Sequence, residues 1–174
     1  MTRRHLVLVG LMGAGKSSVG KRCAALLDRP FVDTDELVVA AAGIPFDEIW
    51  TNEGEAGFRA RERTAVADAA ASPAPLVIAC GGGAVLDPEN RRTLRTTGFV
   101  VWLAASPEVL AARLAGDDTR PLLARGDRAA TLTRLADTRA AAYEAAADVT
   151  VAADDATVDE VAHRVLEEYE QCNA

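Results

Sequence analysis

We predict an α/β fold, a parallel sheet with helices on both faces, from the order of the segments and from the composition. Short apolar runs alternate with helical stretches along the 174 residues, and strands that are separated by helices pair in parallel. This length fits one domain, and 49% hydrophobic residues supply a core of useful size. We therefore expect a single domain that spans residues 1–174.

The predicted elements follow in regular order until a polar stretch interrupts them. Apolar runs predict strands over 5–9, 31–33, 76–80, 99–103 and 149–151. Helices are predicted between and after them over 16–27, 35–42, 55–71, 88–95, 107–114, 129–146 and 158–169. Two prolines within 72–75 end the third helix before a strand, because residues that precede proline avoid the helical region. The polar stretch 116–128 is interpreted as a mobile lid, with an ordinary exposed loop as the alternative.

The composition excludes several classes of protein and of site. A net charge of −7 argues against a nucleic-acid-binding surface, because phosphate backbones select basic faces. Apolar runs are too short to cross a bilayer, and the distant cysteines 23, 80 and 172 fit a reducing compartment. The two histidines stand far apart, without metal-ligand spacing. We expect a cytoplasmic protein with small-molecule ligands and with neither membrane nor nucleic-acid partners.

A glycine-rich sequence after the first strand predicts a phosphate-binding loop. Gly10-Leu-Met-Gly-Ala-Gly-Lys-Ser17 matches G-x-x-x-x-G-K-[ST] between a strand and a helix. The glycines let successive N–H groups point at phosphate oxygens, and the helix N-terminus adds the positive end of its dipole. Lys16 supplies a charge for the β- and γ-phosphates, and Ser17 offers a hydroxyl to Mg²⁺. The predicted nucleotide-binding residues of this loop are Gly13, Ala14, Gly15, Lys16, Ser17 and Ser18.

The rest of the sequence narrows the class of nucleotide-binding protein. Neither of the two lysines follows an asparagine, so the Asn-Lys-x-Asp motif of GTPases is missing. The third strand ends in three glycines, whereas a motor or AAA-type ATPase usually ends such a strand in an acid. A short chain with a lid-like segment indicates a small-molecule kinase.

Two carboxylates follow the second predicted strand, at the edge where open α/β sheets bind ligands. Asp33 and Asp35 would face the same way if the segment stays extended. One would then serve Mg²⁺ through water, while the other orients or deprotonates an acceptor hydroxyl. The alternative is that either acid only caps the following helix.

Further candidate binding groups lie on the third helix and after the third strand. Arg59 has the planar fork that grips a carboxylate, and Glu62, three residues later, shares its helix face and could orient it. A solvated helix arginine is the alternative for Arg59. The glycines Gly81, Gly82 and Gly83 would expose backbone N–H groups and allow close approach of a ligand, with a plain flexible turn as the alternative.

Together these elements resemble the shikimate kinases, nearly from end to end of the chain. No single element decides the resemblance; their shared order and spacing do. The matching elements are the loop 10–18, Asp33-Thr-Asp35, Gly54-Glu-x-x-Phe-Arg59 with Glu62, Gly81-Gly-Gly83, Thr119-Arg-Pro-Leu-Leu123 and Arg139-x-x-x-Tyr143.

The resemblance implies a P-loop NTPase-type α/β/α fold and ATP-dependent phosphorylation of the 3-hydroxyl of shikimate, in the pathway to aromatic amino acids. It implies a five-stranded sheet in the order 2-3-1-4-5, a substrate-binding insertion near 34–61, a lid near 116–128 and a monomer. Lys16, Asp35 and Arg120 would be catalytic, with Arg120 swinging in on the lid towards ATP. Ser17 and Asp33 would serve Mg²⁺. The residues that would hold shikimate are Asp35, Arg59, Gly81, Gly82, Gly83 and Arg139.

Departures from the family pattern are small, and two other functions stay open. The loop ends Lys-Ser-Ser where many members have Lys-Ser-Thr, the Arg139 segment lacks a frequent proline, and 152–157, which would face adenine, has no basic side chain. One alternative is a kinase of gluconate or another polyol acid. The other is a noncatalytic nucleotide-binding module, against which the intact Lys16, Asp33, Asp35 and Arg120 argue.

Overall fold

The computed structural model describes residues 5–116, 123 and 127–173. These residues form a five-stranded parallel sheet in the order β2-β3-β1-β4-β5. The strands are β1 His5–Val9, β2 Phe31–Asp33, β3 Val77–Ala79, β4 Gly98–Ala104 and β5 Val149–Ala152. The predicted fold class, strand number and strand order are thus confirmed.

Helices connect the strands and pack on the sheet. They are α1 Lys16–Leu27, α2 Thr34–Ala42, α3 Phe46–Ala70, α4 Pro88–Thr97, α5 Pro107–Arg113, α6 Arg128–Ala146 and α7 Val158–Asn173, with a short 3₁₀ turn at Ala84–Leu86. The described part of the chain has no helix that is both long enough and apolar enough to span a membrane. Most of the stretch 116–128, interpreted above as a lid, lies outside the described residues.

Three helix starts differ from the sequence predictions, and that of α6 lies a single residue earlier than predicted. α2 begins at Thr34 because Asp33 caps it, its side chain accepting from the N–H of Asp35. α3 begins at Phe46, nine residues earlier than predicted, and contains a break at Gly54, where φ is 67° and ψ is −174°. The additional turns carry aromatic side chains that pack on the rest of α3, so tertiary contacts stabilise a segment with polar residues and glycine.

The central strands supply most of the core. β1 is buried over its whole length and β3 likewise, as expected of parallel strands that are covered on both faces. A second, smaller cluster lies beside α2 and α3 and includes Val38, Ile49 and Phe58. Around it, Phe46 stacks on Trp50 at 5.9 Å and meets Phe58 edge-on at 4.8 Å between ring centroids. This cluster fixes the first half of α3 over the carboxyl edge of the sheet.

His5 ties the start of β1 to its neighbours through both ring nitrogens. Nδ1 accepts from the N–H of Leu76 at 3.0 Å, so Nε2 carries the proton, which it donates to the carbonyl of Ala70 at 3.3 Å. The ring is 5% exposed. His5→Phe keeps an aromatic ring but leaves the buried N–H of Leu76 without its acceptor.

We expect His5→Phe to lower the free energy of unfolding by about 1–3 kcal/mol, the cost of unsatisfied buried polar groups. Urea-induced unfolding at neutral pH measures it. The matched control is His163→Phe on α7, because the side chain of His163 is 56% exposed. This substitution should change the free energy of unfolding by less than about 0.5 kcal/mol. Equal stability changes in the two variants would contradict the role assigned to His5.

Candidate active site

A cavity of about 580 Å³ opens at the carboxyl edge of the sheet. The glycine-rich loop after β1 forms one side of it, through Gly13, Gly15, Lys16 and Ser17. Asp33 and Asp35 face it from the β2–α2 junction, and Cys80 and Gly82 from the end of β3. Burial raises the pKa of the Cys80 thiol well above its usual range, so this side chain acts as a small apolar wall.

The loop adopts the backbone that its glycines permit. Gly10 has a φ of 146°, and a Cβ there would lie 2.5 Å from the carbonyl oxygen of Leu103. Gly15, with φ at 92°, precedes α1 and has no side chain that could cap the helix, and both Gly15 and Lys16 line the cavity at this helix end. Lys16 lies at this end and donates from Nζ to the carbonyl of Leu11 at 2.9 Å. Of the other predicted loop residues, Ala14 is buried and Ser18 exposed, and neither lines the cavity.

Asp33 caps α2, which was the alternative interpretation of this acid, and it also contacts Ser17 of the glycine-rich loop. Its Oδ1 caps α2 by accepting from the N–H of Asp35 at 3.0 Å, and its Oδ2 accepts from the Ser17 hydroxyl at 2.6 Å. The segment does not stay extended beyond Asp33, because α2 starts at Thr34, so the alignment expected of an extended chain does not apply to Asp33 and Asp35. Both acids nevertheless line the cavity, since the cap turns the chain at this point.

A second, smaller cavity of about 50 Å³ continues the first one. Asp35, Met12 and Gly82 line both cavities. Arg59 and Arg139, predicted from distant parts of the chain, both line this cavity together with Gly82 and Gly83 of the loop after β3. Arg139 is 5% exposed, so its charge is directed into the protein. The remaining wall is aromatic and consists of Phe46, Trp50 and Phe58.

The predicted orienting pair is present between Arg59 and Glu62. Arg59 Nη1 lies 2.7 Å from Glu62 Oε2, and the guanidinium is 20% exposed while the carboxylate is 1% exposed. Glu62 Oε1 is buried and has no hydrogen-bond partner among the residues that the structure describes. Burial raises the pKa of Glu62, while the charge and hydrogen bond of Arg59 offset part of the rise.

The pKa of Glu62 has a consequence for stability. Because its folded-state pKa lies above the ordinary value of 4.5, the folded state binds this proton more tightly than the unfolded state does. The stability from the protonated group is full below the unfolded value and is lost as the pH rises through the folded pKa. Glu62→Gln removes the titration.

We therefore expect the stability advantage of the unsubstituted chain over Glu62→Gln to shrink as the pH rises above 4.5. Urea unfolding of both proteins from pH 4 to 7 measures it. Glu55→Gln, on the same helix with an exposed carboxylate, is the control and should show no such trend. A stability difference that stays constant across the range would contradict the assignment.

The three glycines after β3 fit closely between charged side chains. The N–H of Gly81 donates to Thr34 Oγ1 at 2.9 Å, and a Cβ at Gly81 would lie 2.5 Å from Asp35 Oδ1 and 2.7 Å from Glu62 Oε1. A Cβ at Gly83 would overlap the guanidinium of Arg59. Gly82 and Gly83 line the smaller cavity, and their N–H groups have no hydrogen-bond partner within the described ranges.

One predicted site residue lies outside the described part of the chain, and several residues that line the site were not predicted. Arg120, with 119 and 121–122 of the same family element, lies outside the described residues. Met12, Phe46 and Trp50 line the cavities but were not predicted as site residues; for the two aromatic residues, their spacing of four was the available signal. Arg113 was not predicted either. It donates to the carbonyls of Gly13 and Ala153 and so places a basic group over the 152–157 loop.

Comparison with known proteins identifies the family. The sequence profile described as shikimate kinase matches residues 12–170, most of the chain. The chain belongs to the shikimate kinase family. A shikimate kinase from Symbiobacterium thermophilum is 48% identical over 169 residues, which cover 96% of this chain and 97% of the relative. One from Dechloromonas aromatica is 46% identical over 149 residues, covering 86% of this chain and 81% of the relative.

Solved structures of the family share the fold. The shikimate kinase from Acinetobacter baumannii, solved in complex with shikimate, has a TM-score of 0.95 at 33% identity, covering 98% of this chain and 95% of that one. A gluconokinase from Sinorhizobium meliloti has a TM-score of 0.61 at 23% identity, covering 98% of this chain and 94% of the gluconokinase. At that identity the gluconokinase shares the fold only. The family resemblance that the motifs predicted is therefore confirmed.

Proposed function

We propose that the two joined cavities carry out the shikimate kinase reaction, the transfer of the γ-phosphoryl group of ATP to the 3-hydroxyl of shikimate. The products are shikimate 3-phosphate and ADP. One observation supports this reaction above the others: a carboxylate-sized pocket with two arginines and two open N–H groups adjoins a phosphate-binding loop. Shikimate is a hydroxylated ring acid, and each end of it meets a matching group here.

The loop at the start of α1 binds the phosphates of ATP. The backbone N–H groups at the N-terminus of α1 donate hydrogen bonds to phosphate oxygens, and the positive end of the helix dipole favours the negative charge of the phosphates. Lys16 moves its ammonium from the carbonyl of Leu11 to the β- and γ-phosphates. Its charge then offsets the negative charge that develops during transfer.

Ser17 and Asp33 are proposed to hold Mg²⁺. Their oxygens lie 2.6 Å apart at the phosphate end of the cavity, and hydroxyl and carboxylate oxygens are the hard ligands that this ion prefers. Across the described ranges, no group of three or more His, Cys, Asp or Glu side chains could hold a metal. The Ser17 hydroxyl and the Asp33 carboxylate would therefore be the two protein ligands of the ion, and phosphate and water oxygens would supply the others. When bound, Mg²⁺ neutralises phosphate charge.

The second cavity is proposed to bind the carboxylate of shikimate. Arg59, fixed by Glu62, and the buried Arg139 supply two positive charges, and Gly82 and Gly83 supply N–H donors. The apolar faces of the shikimate ring lie against the aromatic wall of Phe46, Trp50 and Phe58. Holding the acid end in this way fixes where the hydroxyls lie, and alignment of the reactants is what phosphoryl transfer requires most of the protein.

Asp35 lines both cavities and is proposed to contact the acceptor hydroxyl. It accepts a hydrogen bond from that hydroxyl and orients its oxygen towards the γ-phosphate. A carboxylate is a weak base for an alcohol, so orientation contributes more than early removal of the proton.

Several further assignments stand as proposals from the family resemblance. Arg120 contacts ATP as part of a closing lid over 116–128. The chain is a monomer with one domain, residues 1–174, in which 34–61 is the substrate-binding insertion. Its cysteine use is that of a cytoplasmic protein.

Release of ADP from MgATP tests the proposed function directly. Shikimate, gluconate and no acceptor are compared with the purified chain, with and without Mg²⁺. Shikimate- and Mg²⁺-dependent turnover well above the other conditions is the expected result. Turnover with gluconate alone would discard the acceptor assignment, and ATP binding without any turnover would favour the noncatalytic alternative.

A further inference from the structure

Tyr143 on α6 is buried against the glycine loop of the acceptor pocket. Its side chain is 1% exposed, and its hydroxyl donates to the carbonyl oxygen of Gly82 at 2.5 Å. The ring stacks on Trp102, with centroids 5.4 Å apart and an interplanar angle of 22°. Burial raises the pKa of Tyr143 to about 12, with Arg139 offsetting part of the rise. The hydroxyl therefore keeps its proton and stays a donor at neutral pH.

The other backbone groups of the glycine loop are held from elsewhere. The N–H of Gly81 is bound by Thr34, and its carbonyl accepts from Ala84. The carbonyl of Gly83 accepts from Leu86. In the described part of the chain, the peptide between Gly82 and Gly83 has one recorded hydrogen bond, the one from Tyr143.

The carbonyl of Gly82 determines where the N–H of Gly83 points. The peptide is trans, so its carbonyl oxygen and its N–H point in opposite directions. A peptide between two glycines turns over at little steric cost, because glycine occupies positive and negative φ about equally. Without the contact to Tyr143, no recorded hydrogen bond among the described residues would hold the orientation of this peptide, and the direction of the Gly83 N–H would vary.

We propose that Tyr143 is a positioning residue for the acceptor carboxylate: its hydroxyl fixes the Gly82–Gly83 peptide so that the N–H of Gly83 faces the pocket between Arg59 and Arg139. The same helix supplies Arg139 one turn earlier, so α6 places a charged donor and an oriented backbone donor together. This inference rests on the proposed function, because it concerns the carboxylate of shikimate.

Tyr143→Phe tests the proposal because it removes the hydroxyl, with its contacts to the Gly82 carbonyl and to Arg139. It keeps the ring that stacks on Trp102. We expect the KM for shikimate to rise about tenfold, as for loss of one buried hydrogen bond, while the KM for ATP changes less than about twofold. Tyr169→Phe is the matched control, since Tyr169 is the other tyrosine, is buried and accepts from Arg29 far from the site. It should leave both KM values unchanged. Thermal unfolding verifies that both variants fold.

A shikimate analogue with a hydroxymethyl group in place of the carboxylate distinguishes loss of the oriented Gly83 N–H from a general loosening of the acceptor pocket. Its inhibition constant should be the same for the unsubstituted chain and for Tyr143→Phe, since it lacks the charge that the oriented N–H receives. A KM for shikimate that is unchanged in folded Tyr143→Phe would overturn the inference alone. An equal weakening of shikimate and the analogue would also overturn it. Absence of shikimate turnover by the unsubstituted chain would overturn the proposed function, and this inference with it.

Discussion

Replacing Lys16 with methionine is expected to lower the turnover of shikimate by about a thousandfold while the fold is kept. Lys16 lines the nucleotide cavity at the N-terminus of α1, where a single positive charge opposes the charge that builds on the transferring phosphoryl group. Removal of one such preorganised donor typically costs about 100- to 1,000-fold in rate. Methionine has a similar length and forms helices well, so the loss is electrostatic and not structural.

The measurement is kcat for ADP release with saturating shikimate, together with a thermal unfolding curve. Lys21→Met is the matched control, because Lys21 is the only other lysine in the chain and lies over the ring of Phe31 at 5.6 Å, away from the cavity. The Lys21→Met protein should keep the kcat of the unsubstituted chain. A folded Lys16→Met protein with ordinary turnover would mean that the loop is misassigned.

Replacing Arg59 with alanine should weaken shikimate binding by about 2–5 kcal/mol, the range for truncating one partner of a desolvated charge pair. The guanidinium is 20% exposed and lines the acceptor pocket beside Gly83, so its interaction with a bound carboxylate is poorly screened by water. ATP affinity should change little, because Arg59 lines only the second cavity.

Calorimetric titration with shikimate measures the effect, and two further variants interpret it. Arg63→Ala, one turn later on the same helix but ion-paired to Asp87 and 56% exposed, should bind shikimate normally. Arg59→Lys keeps a positive charge beside the buried Glu62 but loses the planar guanidinium. It therefore distinguishes loss of the arginine contact with the shikimate carboxylate from disruption caused by an unpaired Glu62. Unchanged shikimate affinity in Arg59→Ala would mean that Arg59 does not bind the carboxylate.

Local signals in the sequence predicted most of the elements. α1 was predicted to the residue because a glycine motif precedes it. β1 was predicted to the residue because its apolar run ends at the glycine-rich loop, and β2 because it lies between a proline and a polar threonine. The Arg59–Glu62 pair was also predictable, since residues three apart share one helix face. Helical residues 46–54 were not predicted: a glycine and several polar residues weaken the local signal there, and packing of Phe46 and Trp50 on Phe58 overrides it.

The sequence by itself determined the class of fold, the phosphate-binding loop and the family, because each depends on residue types at short, fixed spacings. Only the tertiary structure decided how the acceptor pocket is assembled. It brings Arg59 against Gly83 and binds the hydroxyl of Tyr143 to a carbonyl 61 residues away. It also lets one oxygen of Asp33 cap α2 while the other meets Ser17. Such contacts join segments far apart in the chain, and they form only when the parallel sheet brings the carboxyl ends of its strands to one edge.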